Sequence, residues 1–149
     1  MKVLGKNYKT IWLDPLDSRK VKIIDQRLLP HELKIVTLNS LTDAAFAIKE
    51  MQVRGAPLIG VTAAYGMYIA AREKADLKNA SEQINGTRPT AVNLSWALNK
   101  IMSSIENINK DDLPNKILEL ANQIRQEDIN NCKNIGEYGY KLIKEVYEK

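Results

Sequence analysis

The sequence holds one cysteine, one histidine and one phenylalanine among its 149 residues. With Cys132 alone, no intrachain disulfide can form, and a reducing, cytoplasmic setting fits. Aromatic residues make up only 6%. The core must then come from Ile, Leu, Val and Ala, which favours helix. There is no metal-ligand spacing, no glycine-rich nucleotide loop and no nucleophile elbow. We therefore expect no metal, no cofactor and no complete catalytic set. The stretch Met1-Lys2-Val3-Leu4-Gly5-Lys6-Asn7 lacks the apolar region of a signal peptide. The longest apolar run, 56–71, is broken by Pro57, Gly60, Thr62 and Gly66 and is too short to span a bilayer. Long blocks of like charge are missing too. Lysine and arginine number 22 against 18 acids, for a net charge of +4 and a pI near 9.1. Scattered lysines point to a small anionic ligand, with neither nucleic acid nor membrane as partner.

What is present reads as a small sheet followed by helices. Tyr8–Leu13, Val21–Gln26 and Leu33–Leu38 are rich in β-favouring residues. The turn residues Asp14-Pro15-Leu16-Asp17-Ser18 and the breaker Leu29-Pro30-His31-Glu32 separate them. Three antiparallel strands are expected. From residue 40 the period changes. Ser40 and Asp43 form an acidic capping box ahead of Leu41, Ala44, Ala45, Ile48 and Met51. A second helix starts at Pro57 and runs to about Lys74. It is apolar nearly all round, so it belongs at the centre. Residues 76–87 are polar and contain Asn85-Gly86, a turn signal. A third helix is expected from Pro89 to about Ile105. A long fourth one opens at Asp111-Asp112-Leu113-Pro114, with Ile117, Leu120, Ala121, Ile124, Ile129, Cys132 and Ile135 as its stripe. Gly136 and Gly139 should interrupt it, leaving a short closing segment from Tyr140 to Tyr147. The fold class is thus α+β, mainly α. One domain covers 1–149, with a small three-stranded antiparallel sheet in 1–39 and a helical bundle in 40–149.

Two places repeat one design. Arg54-Gly55-Ala56-Pro57 and Thr87-Arg88-Pro89-Thr90 each set an arginine near a proline at an expected helix start. A helix N-terminus presents unpaired N–H groups and a partial positive charge, which suits an anion. Arginine adds a fork of donors that matches phosphate. Gly55 lets the backbone approach a ligand. Two such corners could converge on one phosphate. Each could equally be a helix boundary with a surface charge. His31 reads as exposed, Cys132 as a small buried hydrophobe, and Asp25-Gln26-Arg27 as a salt bridge at a strand end.

At these residues the chain resembles a known family. Met51-Gln52-Val53-Arg54-Gly55-Ala56-Pro57-Leu58-Ile59-Gly60-Val61, followed by Ala63-Ala64-Tyr65-Gly66, is similar to the signature of methylthioribose-1-phosphate isomerases. So are Thr87-Arg88-Pro89-Thr90-Ala91-Val92-Asn93-Leu94 with Trp96-Ala97-Leu98, Asp25-Gln26-Arg27-Leu28-Leu29-Pro30, and Ile135-Gly136-Glu137-Tyr138-Gly139. The resemblance implies an N-terminal portion of an aldose–ketose isomerase of methionine salvage. That enzyme converts 5-methylthioribose 1-phosphate to 5-methylthioribulose 1-phosphate without metal or organic cofactor. It implies substrate contacts at Arg54, Gly55, Ala56 and Arg88, and a homodimer. It also places the reacting cysteine, in a Thr-His-Cys-Asn-like loop, and the acid/base aspartate in a Rossmann-like C-terminal domain that is absent here. Cys132 does not match that context, so no catalytic residue is assigned and the chain alone should be inactive. The same superfamily includes regulatory subunits of the translation-initiation exchange factor and ribose-bisphosphate isomerases, which are the alternatives. An interaction module would instead be marked by a large exposed apolar patch.

Overall fold

Alternating apolar residues give the first regular layer. The computed structural model describes residues 2–3 and 5–148. The strands Ile11–Leu13 (β3), Val21–Ile24 (β4) and Ile35–Leu38 (β5) form an antiparallel sheet in the order β3-β4-β5. Ile11 pairs with Ile23, and Val21 with Leu38, which fixes the register. Val21 and Ile23 are fully buried, but so is Ile24, so the central strand is covered more completely than simple alternation suggests. A two-residue hairpin, Lys2–Val3 (β1) with Lys6–Asn7 (β2), precedes the sheet and was not expected. Gly5 turns it with φ 79°.

Helix α1 (Leu41–Lys49) starts as its sequence dictates. Asp43 N–H donates to Ser40 Oγ at 3.1 Å, and Ser40 N–H donates back to Asp43 Oδ2 at 3.1 Å. Ser40→Ala is expected to cost about 1 kcal/mol; an unchanged denaturation midpoint would remove the cap from the stability of this corner. Helix α2 (Ala56–Arg72) carries fourteen consecutive buried residues, Leu58 to Ala71. It lies against α1, α3 (Leu77–Asn85), α4 (Val92–Ser104) and α5 (Leu113–Tyr147). Its alanines and glycines admit all four neighbours closely, as a helix apolar on every side requires. No helix among the described residues is long and apolar enough to cross a membrane.

Four expectations need correction. The polar stretch 76–87 contains α3. Asp76 caps it by accepting from Asn79 N–H at 2.8 Å, and it buries only Ala80 and Ile84. The third expected helix does not open at Pro89; α4 begins at Val92, with Ala91 at its cap. The fourth is not interrupted, because α5 runs unbroken through Gly136 and Gly139. One glycine costs about 1 kcal/mol in a helix, which a long helix absorbs. Finally, Cys132 is exposed. The stripe of α5 is buried at Ile117, Leu120, Ala121 and Ile124, then stands clear, with Ile129 and Ile135 exposed. His31 is exposed as expected.

Candidate functional site

The site is assembled from segments that local bonds hold from both sides. At the end of β4, Asp25 is 2% exposed. Arg27 grips its carboxylate with Nε to Oδ1 at 2.9 Å and Nη2 to Oδ2 at 2.8 Å. Gln52 Nε2 donates to Oδ2 at 2.9 Å. The hydrogen bonds from Arg27, joined by that from Gln52, hold the Asp25 carboxyl down at about 2 against the opposing effect of burial. Gln26 N–H donates to Gln52 O at 2.9 Å, and Val53 N–H donates to Ala47 O at 3.3 Å. Residues 51–53 are thereby pinned between the sheet and α1. The expected salt bridge at Asp25 and Arg27 is present, and it anchors the chain that delivers Arg54.

Gly55 follows with φ 96°, a left-handed conformation that favours glycine. It turns the chain into α2, whose start has Pro57 in its first turn, no side-chain cap and no acid. The positive end of that helix is left uncompensated. From the other side comes the segment after α3. Thr87 Oγ1 donates to Ile84 O at 2.6 Å, and Ala91 N–H closes a turn onto Arg88 O at 2.9 Å. Ser95 Oγ donates to Asn85 Oδ1 at 2.8 Å and ties α4 to the end of α3. Gly60 permits the final approach: a Cβ there would lie 2.8 Å from Asn93 O.

The result is an open cleft of about 420 Å3 between the start of α2 and residues 88–93. Arg54, Gly55, Ala56 and Arg88 all line it, together with Thr90 and Asn93. Arg54 is exposed and Arg88 half-buried. Neither guanidinium has an ion-pair or hydrogen-bond partner among the described residues. The two arginines are thus brought together, though by different means. Arg54 precedes a helix start directly, whereas Arg88 arrives on a turn before α4. Thr90 and Asn93 were missed as lining residues, although they lie within the quoted motif.

A second cavity of about 580 Å3 adjoins this cleft through Val92 and Asn93. Val61, Trp96, Ile124 and Ile135 make much of it apolar, and Glu127 and Asp128 stand at its wall. Cys132 also lines it, with Sγ 3.9 Å from Asp128 Oδ1. No group of His, Cys, Asp and Glu among the described residues could hold a metal ion.

Known proteins share this sequence and fold. The pattern of the Initiation factor 2 subunit family matches residues 52–147. Methylthioribose-1-phosphate isomerase of Sinorhizobium medicae (strain WSM419) is 47% identical over 149 residues, covering 98% of this chain and 41% of that protein. The enzyme of the same name from Brucella anthropi is 46% identical over 152 residues, covering 100% and 42%. The chain therefore spans about two fifths of the length of the curated relatives it matches. Among solved structures, 5-methylthioribose 1-phosphate isomerase from Pyrococcus horikoshii OT3 superposes with a TM-score of 0.83 at 36% identity, covering 91% of this chain and 41% of that one. The delta subunit of translation initiation factor eIF-2B from A. fulgidus gives 0.76 at 31% identity, covering 91% and 42%.

Proposed function

This chain belongs to the Initiation factor 2 subunit family, and on that footing we propose that it forms the phosphate-gripping portion of an aldose–ketose isomerase acting on 5-methylthioribose 1-phosphate. The observation that carries the reading is the convergence of Arg54, Gly55, Ala56 and Arg88 on one cleft. A phosphate there would receive donors from two guanidinium forks and the open N-terminus of α2. The adjoining cavity favours this substrate over a sugar bisphosphate. Its apolar wall suits a methylthio group, while Asp128 would repel a second phosphate; Glu127 is already paired with Lys100 at 3.0 Å.

The role of these residues is to bind and orient. Isomerisation also needs a positioned acid and base to move protons between neighbouring carbons, and we assign none in this chain. Turnover then depends on groups supplied from outside these 149 residues. The relationship to a translation-factor subunit keeps a purely ligand-sensing role as the competing outcome.

Calorimetric titration of the chain with 5-methylthioribose 1-phosphate tests the binding role. Arg88→Ala is expected to weaken binding by about 2 kcal/mol, the scale of hydrogen bonds to a charged group. Lysine at position 88 should restore only part of this, because it lacks the planar fork. Equal affinity in the parent, Arg54→Ala and Arg88→Ala chains would sink the proposal.

A further inference from the structure

A second cleft, of about 410 Å3, lies between residues 7–15 and α5. Its charged lining residues are Lys9 and Arg125, and no carboxylate accompanies them. It shares this feature with the Arg54–Arg88 cleft. The other cavities differ: Lys74, Lys110, Asp76 and Asp111 balance around one and Lys49 with Glu82 around another, while Glu127 and Asp128 make the apolar cavity acidic. Asp14 is near in sequence, but Lys22 Nζ holds its carboxylate at 2.6 Å.

Arg125 is the unusual member. Its Nε is buried and has no hydrogen-bond partner among the described residues, while the rest of the guanidinium lies close enough to the Tyr65 hydroxyl to oppose the upward push of burial on that group. A buried donor left unpaired costs roughly 1–3 kcal/mol, so such groups are uncommon in settled cores. One turn away, Asn122 Oδ1 accepts from Tyr65 O–H at 2.8 Å. That bond orients the amide and leaves its Nδ2 hydrogens without a partner among the described residues. Facing these donors, Trp12, Leu13 and Pro15 supply an apolar wall. Flat apolar groups pack well on indole faces.

We propose that this cleft binds a small organic anion, with its phosphate or carboxylate at Arg125, Asn122 and Lys9 and a flat apolar body against Trp12. The site is separate from the Arg54–Arg88 cleft, shares no lining residue with it, and does not depend on the isomerase reading. Phosphate and carboxylate share the chemistry that Arg125 would recognise.

The test is a titration of the 149-residue Trp96→Phe chain, in which Trp12 is the remaining tryptophan. Phenyl phosphate and benzoate are the probes, followed by Trp12 fluorescence, with inorganic phosphate as the control. We expect saturable quenching by at least one ring-bearing anion, and weaker binding of inorganic phosphate. The stronger of the two probes identifies which anion the site takes. Arg125→Gln should weaken that binding at least about tenfold, the loss of one charged hydrogen-bonding partner. Lys9→Gln, on an exposed side chain, should weaken it about threefold, as suits a solvated charge. Arg88→Gln should leave it unchanged. If Arg125→Gln fails to fold, Lys9→Gln and Arg125→Lys decide in its place. No saturable quenching by either probe, or quenching that tracks Arg88 and ignores Lys9 and Arg125, overturns the proposal.

Discussion

Arg27→Ala is expected to lower stability by about 2 kcal/mol, less than for an ion pair buried on both sides, because solvent reaches the arginine. The cost falls mainly on the partner that remains. Arg27 itself is 37% exposed on its side chain, whereas the Asp25 side chain is 3% exposed. Without Arg27 the carboxylate keeps Gln52 Nε2 and the residue-27 amide as donors, and burial then disfavours its charge. Asp25→Asn should cost less, because the amide is neutral and leaves no buried charge, although its Nδ2 would stand against donors of Arg27 or of the buried Gln52. Chemical denaturation of both variants measures the difference. Equal losses would mean that the burial of Asp25 carries no penalty.

The same pair sets an acid limb. Asp25 titrates near 2 in the folded chain against 3.8 for the free side chain. A depressed folded value means that the stabilisation is present above pH 4 and is lost as pH falls toward 2. Its size is about 2 kcal/mol. Asp17 is held down to about 2 as well, by Arg19, so the parent's acid limb has more than one source. The contribution of Asp25 is what disappears in Asp25→Asn. An acid limb as steep in that variant as in the parent would assign the whole effect to other carboxylates.

Legibility of this fold from sequence tracks the distance over which each feature is decided. The capping box at Ser40 and Asp43 was readable because both partners lie within one turn. Helix α2 was readable because its composition is extreme. The corner at Arg54-Gly55-Ala56-Pro57 was readable because a glycine and a proline punctuate it. Helix α3 escaped because its face is thin: Ala80 and Ile84 are its buried residues, in a segment otherwise polar. The start of α4 escaped because Pro89 is as compatible with a turn as with a first helical position. Cys132 was misplaced for a different reason. Periodicity reports that a helix has an apolar face, not that anything covers it. The stripe of α5 continues through Ile135, Leu142 and Val146, yet these are 66–76% exposed. The contact of Asp25 with Gln52 spans 27 residues, and a pairing of that range has no local signal.

Gly60 offers the sharpest separation of fold from site. A valine there is expected to cost about 3 kcal/mol, at the upper end for overpacking. The atoms it would meet are the backbone O and C of Asn93, at 2.8 and 3.4 Å from a Cβ, and backbone cannot turn aside as a side chain can. Gly66 makes the contrast. A Cβ there meets Ile84 Cδ1 at 3.0 Å and Ala44 Cβ at 3.1 Å. Ile84 Cδ1 can swing aside, while Ala44 must give by a few tenths of an ångström, so Gly66→Ala should cost less than Gly60→Val. The informative variant is Gly60→Ala. Alanine gains about 1 kcal/mol over glycine in a helix interior, which offsets part of the clash and keeps the chain folded. Relief of the clash must then come from moving residues 88–93 away from α2, and Arg88 moves with them. Thermal stability should change little, while phosphate-ester affinity falls about tenfold, the loss of one well-placed charged contact. If affinity and stability instead decline together, Gly60 is a packing residue only. If neither changes, the close approach of α4 to α2 is not what holds Arg88 opposite Arg54.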